Sequence, residues 1–169
     1  HFIQFTPIVE RLVPHADGRC LASVNEQTQT MSPLSVTPEE WGAFLCDLFD
    51  LWIKEDVGTY YIQMFDATLA NWVGQTPGLC TLSKSCGHAS AMEHNGDVFA
   101  CDHFVFPEYK RGNIHTQTIT EMMYSPEQLQ FGKNKWQSLP RQCKECSFLF
   151  ACYGECPKNR FAIDAYGNK

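Results

Sequence analysis

Seven of the nine cysteines in this 169-residue chain lie between Cys80 and Cys156, and their spacing is the strongest chemical signal in the sequence. Cys143-x2-Cys146-x5-Cys152-x3-Cys156-Pro157 puts four thiols within fourteen residues, with Cys80, Cys86 and Cys101 upstream. Thiolates are soft ligands that hold iron or zinc tightly, and tight spacing keeps the closure entropy of a metal site small. Three occupancies compete. Disulfides suit neither the odd total nor the close Cys143 and Cys146 pair. Structural zinc fits a C-x2-C pair followed by two more cysteines. Iron–sulfur clusters are favoured, because two clusters with four thiolates each need eight cysteines and a Cys-Pro pair closes some ferredoxin runs. The eighth ligand is then expected beyond Lys169. Cys20 and Cys46 stand apart, Cys46 being expected as a small buried apolar residue inside a helix.

Elements must position these thiols. The apolar segment Phe2 to Leu12 reads as a strand ending at Pro14 and a His15-Ala16-Asp17-Gly18 turn, followed by a polar surface excursion from Asn25 to Ser35. Thr37-Pro38-Glu39-Glu40 combines a hydroxyl N-cap, a proline at the first helical position and a glutamate that closes a capping box. Trp41, Phe44, Leu45, Leu48, Phe49, Trp52 and Ile53 then share one helical face as far as about Lys54, a stripe read as core that something large must cover. Gly58 ends the helix. A short strand is expected from Tyr60 to Phe65, then a helix capped by Asp66 that runs through Trp72 and stops at Gly74. Such alternation suits the last turn of a parallel α/β barrel.

From Cys80 onward the texture changes. Ala89 to His94 and Asp97 to Cys101 flank Asn95-Gly96, which predicts a hairpin with a two-residue turn that folds Cys101 back alongside the segment after Cys86. Two more capping boxes, at Thr118 and Ser125, predict helices over Ile119 to Tyr124 and Pro126 to Trp136. The remainder reads as cysteine-rich loop, in which Phe148, Leu149 and Phe150 are either a water-excluding wall for a metal centre or local core.

Bulk properties exclude several classes. A formal charge of -6 and no basic block longer than Tyr109-Lys110-Arg111 work against nucleic-acid or anionic-membrane partners. No apolar run of about 18 residues and no leader pattern is present, so a cytoplasmic protein is expected. The chain opens at His1 inside an expected strand and reads as a piece of a longer polypeptide.

The pattern Cys86-x9-Gly96-x4-Cys101, followed by Cys143-x2-Cys146-x5-Cys152-x3-Cys156, resembles the SPASM domain of certain radical S-adenosylmethionine enzymes. Gln4-Phe5-Thr6-Pro7-Ile8-Val9-Glu10, Asp56-Val57-Gly58, Gln63-Met64-Phe65-Asp66 and Cys101-Asp102-His103-Phe104-Val105 are similar to the anaerobic sulfatase-maturating enzymes. The resemblance implies an α+β chain: the end of a partial barrel with its connector over residues 1–75, then a SPASM domain over residues 76–169. It implies two auxiliary 4Fe-4S clusters, the first on Cys80, Cys86, Cys101 and Cys156 and the second on Cys143, Cys146, Cys152 and a ligand outside the chain. Zinc or metal-free thiols are the alternatives for the chain alone.

The activity implied is oxidation of a sulfatase cysteine or serine to formylglycine after a 5'-deoxyadenosyl radical removes a Cβ hydrogen. S-adenosylmethionine and its own cluster would bind elsewhere in the parent, since no C-x3-C-x2-C motif occurs here, and the isolated chain is expected to be inactive. Asp102, matching the family's proposed catalytic aspartate, would take the proton. His103 is the rival, although alternation along an extended segment would turn it to the opposite face. His88 and His94 are expected at the surface. Two other readings stand beside this one: a SPASM module of another radical peptide-modifying enzyme, told apart by the mass change on its substrate, and a structural metal or peptide-binding module, told apart by whether turnover survives loss of Cys80 or Cys101.

Overall fold

The computed structural model describes residues 1–15, 18–22 and 30–161, without the side chains of His15, Arg19 and Cys20. The expected Ala16-Asp17 turn, most of the polar excursion and the side chain of Cys20 lie outside the described residues. The chain divides into two compact units, His1–Gln75 and Thr76–Lys169.

In the first unit β1 (Phe2–Ile3) pairs in parallel with β5 (Tyr61–Ile62), Phe2 opposite Tyr61 and Ile3 opposite Ile62. The strand expected from Phe2 to Leu12 is thus broken after Ile3. Pro7 has no N–H to give a ladder, and Ile8 and Glu10 instead accept from Val36 and Ser32. Pairing resumes at β2 (Arg11–His15), the centre of an antiparallel sheet between β3 (Gly18–Leu21) and β4 (Thr30–Met31). Thr30 and Met31, expected in a surface excursion, form an edge strand.

Helix α1 (Pro38–Glu55) starts as expected: Thr37 Oγ1 accepts from Glu40 N and the Glu40 carboxylate accepts from Thr37 N, closing the box. Its aromatic stripe is not the core that the periodicity predicts. Only Trp52 is buried, at 8% exposure, while Phe44, Phe49 and Ile53 keep 39%, 42% and 50%. The cover available is small: Phe65 packs against Phe49 and Trp52 with ring centroids 5.3 Å apart in each pair, and Phe5 against Phe44 at 5.2 Å. Cys46, expected buried, is exposed, because it lies to the side of that stripe rather than on it. Helix α2 (Gln63–Trp72) begins before Asp66, so Phe65 is helical and Asp66 lies in the first turn rather than at the cap.

The second unit is built on the sheet β6 (Ala91–Met92), β7 (Asp97–Phe99) and β8 (Lys110–Asn113), in that order and antiparallel. The hairpin forms, but through a three-residue loop. Glu93 N–H donates to Asp97 C=O and Gly96 N–H to Glu93 C=O, with Gly96 at φ +85°. Asn95 is drawn out of a two-residue turn because its side-chain oxygen accepts from Asp97 N at 3.0 Å, leaving only Gly96 in the left-handed region. Helices α3 (Ile119–Met123) and α4 (Pro126–Gln137) appear where their caps predict them. The stretch expected as loop also holds α5 (Arg141–Lys144) and α6 (Leu149–Cys152), each a single turn. Among the described residues no helix is long and apolar enough to cross a membrane.

Candidate metal centre

Helix α4 organises the site with one polar face. Gln128, Gly132 and Lys135, four and then three residues apart, are all buried. The Ser125 cap fixes the helix start by accepting from Gln128 N at 3.2 Å. The Gln128 side chain does not close the predicted capping box. It donates instead to Gly87 C=O at 2.6 Å and Ala100 C=O at 2.9 Å while accepting from Arg111 Nε at 2.8 Å, which ties the neighbours of Cys86 and Cys101 to one carboxamide. Gly132 lets the Cys86 backbone lie against the helix, with Cys86 N–H donating to Gly132 C=O at 3.3 Å. The Lys135 ammonium donates to Cys80 C=O at 2.6 Å and Thr81 C=O at 2.7 Å, holding the 3-10 turn Cys80–Leu82. One helix face therefore grips the backbone at or beside three cysteines.

Cys101 opens a turn rather than continuing β7: Phe104 N–H donates to Cys101 C=O at 3.0 Å. The expected alternation of Asp102 and His103 is therefore absent, because a turn does not alternate its side chains. Ligand-type atoms of Cys101, Asp102 and His103 all converge within 4.8 Å. Cys101 Sγ donates to Asp102 Oδ1 at 3.0 Å, and His103 Nδ1 lies 3.4 Å from Cys156 Sγ. Asp102 is exposed and His103 half-buried. That thiol hydrogen bond holds the Asp102 carboxyl below the usual range, whereas burial pushes the Cys101 and Cys156 thiols up to about 12. His88 and His94 are exposed, as expected.

In the C-terminal cysteine run, Cys146 N–H donates to Cys143 C=O at 3.2 Å, closing the C-x2-C turn. Backbone N–H groups also point at sulfur, Phe148 N to Cys146 Sγ at 3.4 Å and Gly154 N to Cys152 Sγ at 3.3 Å. Phe148 and Phe150 are exposed and so form neither local core nor a closed wall within this unit. Between Cys152 and Cys156, Tyr153, Gly154 and Glu155 run left-handed, with φ of 49°, 73° and 54°. Two non-glycine residues in that region are strained, and the surroundings must impose the geometry. Arg160 does so: its guanidinium donates to the carbonyls of Gly154 at 2.9 Å, Glu155 at 3.3 Å and Tyr153 at 3.5 Å, and to Lys135 C=O on α4 at 2.7 Å.

Cys80, Cys86, Cys101, Cys143, Cys146, Cys152 and Cys156 are thiols rather than disulfides. Cys80 and Cys86 lie within electrostatic reach of Cys156, and Cys156 within reach of Cys101. Arg160 feels Cys143 as well as Cys156 and Cys86, which links the two groups of thiols. This donor set fits iron–sulfur centres on three counts. The expected ligands are thiols, N–H groups aim at two sulfurs of the C-terminal run, and the buried Lys135, whose pKa burial lowers, lies within electrostatic reach of Cys86, Cys156 and Cys80. Periodicity overlooks Gln128 and Lys135 because it picks out apolar stripes. A polar residue, a glycine and a lysine at helical spacing, after a strong cap, were the available signal.

Residues 85–147 match the SPASM family, an iron–sulfur cluster-binding domain, a range that takes in Cys86, Cys101, Cys143 and Cys146. A serine-type anaerobic sulfatase-maturating enzyme from Bacteroides thetaiotaomicron is 64% identical over 168 residues, 99% of this chain and 41% of that protein. A cysteine-type anaerobic sulfatase-maturating enzyme from Clostridium novyi is 29% identical over 161 residues, 94% of this chain and 39% of that protein. The solved structure of hexahistidine-tagged anSMEcpe with bound AdoMet superposes with a TM-score of 0.69 at 25% identity, over 87% of this chain and 38% of that one. The chain therefore spans between 38% and 41% of the length of these relatives. On these similarities the chain carries a SPASM iron–sulfur cluster-binding domain over residues 85–147 and is similar, along nearly its whole length, to the C-terminal part of an anaerobic sulfatase-maturating enzyme.

Proposed function

We propose that this chain is the auxiliary-cluster and proton-accepting part of a radical S-adenosylmethionine enzyme that oxidises a sulfatase serine to formylglycine. The observation that carries the reading is Asp102: an exposed carboxylate 3.0 Å from the thiol of Cys101, on the turn that this cysteine opens. Cys80, Cys86, Cys101 and Cys156 would hold the first 4Fe-4S cluster, and Cys143, Cys146 and Cys152 would contribute to the second. When bound, such clusters supply a one-electron acceptor near the substrate.

Residues 76–169 are then the SPASM unit and residues 1–75 the barrel end with its connector. Two features of the first unit support that assignment. A two-stranded parallel sheet is rare alone, since parallel strands are ordinarily covered on both faces, and the α1 stripe keeps much of its aromatic surface exposed. S-adenosylmethionine and its cluster would bind to other residues of the parent, and the substrate is a sulfatase polypeptide. The serine specificity follows the 64% identical relative rather than the 29% identical cysteine-type one. Seven thiols outside any disulfide suit the reducing cytoplasm.

Oxidising serine to the aldehyde removes a Cβ hydrogen atom, one electron and the hydroxyl proton. Asp102 accepts that proton. Its Oδ1 takes a hydrogen bond from the Cys101 thiol, and a Cys101 thiolate bound to metal no longer donates, which opens Oδ1 to a substrate hydroxyl. His103 faces Cys156 Sγ and is half-buried, so its part is to position that ligand. In the full-length enzyme Asp102→Asn should keep the iron content while formylglycine formation, followed by mass spectrometry of a substrate peptide, falls by about 10²-fold or more. Turnover at the parent rate would remove Asp102 from the mechanism.

A further inference from the structure

Arg111, in the basic block Tyr109-Lys110-Arg111, is half-buried rather than solvated. It is the extra residue of a β-bulge: β8 pairs Lys110 with Phe99 and Gly112 with Val98, two steps on β8 against one on β7. A bulge re-aims the side chain it frees from the ladder, and bulges gather beside functional sites. Here the guanidinium lies over the Phe131 ring, 5.7 Å from its centroid, and Nε donates to Gln128 Oε1 at 2.8 Å. Gln128 is 1% exposed. A carboxamide accepts at its oxygen and donates at its nitrogen, a guanidinium only donates and a carbonyl only accepts. Arg111 therefore claims the oxygen and leaves the nitrogen for Gly87 C=O at 2.6 Å and Ala100 C=O at 2.9 Å. Gly87 follows Cys86, and the Ala100 carbonyl belongs to the peptide unit that carries the Cys101 nitrogen.

We propose that Arg111 is a positioning residue of the first metal centre that acts through Gln128: it locks the carboxamide in one orientation and so fixes the separation of Cys86 and Cys101. The proposal rests on the reading of those two cysteines as ligands. One precedes β6 and the other follows β7, and the carboxamide spans the two segments. Among the described residues Arg111 is the partner of Gln128 Oε1. Without it a buried amide oxygen is left bare, which burial makes costly. The amide then turns toward another donor, and turning swings its nitrogen off both carbonyls. A charge-assisted bond is roughly twice as strong as a neutral one, which suits it to hold an amide against that rotation.

The test uses the full-length enzyme reconstituted anaerobically with iron and sulfide, and reads the iron per chain and the rate at which iron passes to a chelator. The phase of release that Cys101→Ser abolishes belongs to the first centre. If Cys101→Ser abolishes no phase, the ligand assignment itself is wrong and the proposal falls with it. Arg111→Met keeps a stem over Phe131 and loses the donor, and should speed that phase about tenfold. In a Gln128→Leu background, where no carboxamide remains to orient, the same substitution should add less than about twofold. Release at the parent rate in Arg111→Met overturns the proposal. So does the full effect repeated in the leucine background, which would make Arg111 a packing residue with no action through Gln128. Should either variant load no iron, Arg111→Lys decides, because it keeps a cationic donor: iron content and release near the parent values support the proposal, and values no better than those of methionine overturn it.

Discussion

Replacing glycine by alanine inside a helix ordinarily stabilises it by about 1 kcal/mol, because glycine loses more backbone freedom on folding. Gly42 in α1 and Gly132 in α4 offer the same substitution in opposite surroundings. A Cβ at Gly42 meets nothing within 4 Å, so Gly42→Ala should raise the stability of its unit by up to about 1 kcal/mol. At Gly132 the added carbon runs into the carbonyl oxygen of Cys86, with the Cys86 carbonyl carbon 3.2 Å away. That obstacle is backbone and has no rotamer to change. Relief requires shifting Cys86, which weakens its 3.3 Å bond to Gly132 C=O and pulls Gly87 from the Gln128 carboxamide. The lost hydrogen bond costs about 0.5–1.5 kcal/mol and overpacking about 1–3, so after subtracting the propensity gain Gly132→Ala should destabilise by about 1–3 kcal/mol. Urea denaturation followed by circular dichroism reads this as a fall of about 1 M in midpoint, given a slope of about 1–3 kcal/mol/M. Iron loading should fall with it, since the displaced residue is an expected ligand. A midpoint that rises for Gly132→Ala as it does for Gly42→Ala would refute the close approach of Cys86 to α4.

Gln128→Leu removes the carboxamide donor to two buried carbonyls, and at about 1–3 kcal/mol for each unsatisfied group it should cost about 2–6 kcal/mol in the same denaturation assay. A loss below about 1 kcal/mol would mean that water replaces the carboxamide. Asp97 has its pKa lowered, first by Lys110 at 2.6 Å and then by Asn113. A depressed folded-state pKa gives stability that is complete above the ordinary value of 3.8 and lost as pH falls through the lower folded one. Asp97→Asn should therefore flatten the decline in stability of the metal-free chain below about pH 4. Equal slopes for parent and variant would show that the Lys110 pair does not form in solution.

The features legible in the sequence were those governed by local rules. Thr37, Thr118 and Ser125 each cap a helix because a hydroxyl oxygen reaches a backbone N–H within one turn. Other features depended on a tertiary partner. Asn95-Gly96 signals a hairpin, but whether two or three residues form its loop was decided by the Asn95 side chain binding Asp97 N. Strand β8, with Lys110, Arg111, Gly112 and Asn113, has almost no strand propensity and exists because β7 offers it an edge. The α1 stripe gave the right helix and the wrong burial, since periodicity states which face is apolar and not what lies against it. At the site, cysteine spacing named the thiols. Apolar periodicity passes over the Gln128 carboxamide and the Lys135 amine, because each donates to carbonyls at least 28 positions away in sequence.

The left-handed passage through Tyr153, Gly154 and Glu155 connects Cys152 to Cys156, and the guanidinium of Arg160 pins it to α4. With those two cysteines expected on different centres, a short stretch of stiff backbone spans the gap. Such a bridge makes the order of assembly matter. Metal at either cysteine would reinforce the torsions that Arg160 already sets, so uptake should be mutually reinforcing and damage should spread. An oxidant that strips one centre would slacken the passage and loosen the grip on its neighbour, although no bond of that neighbour had been touched.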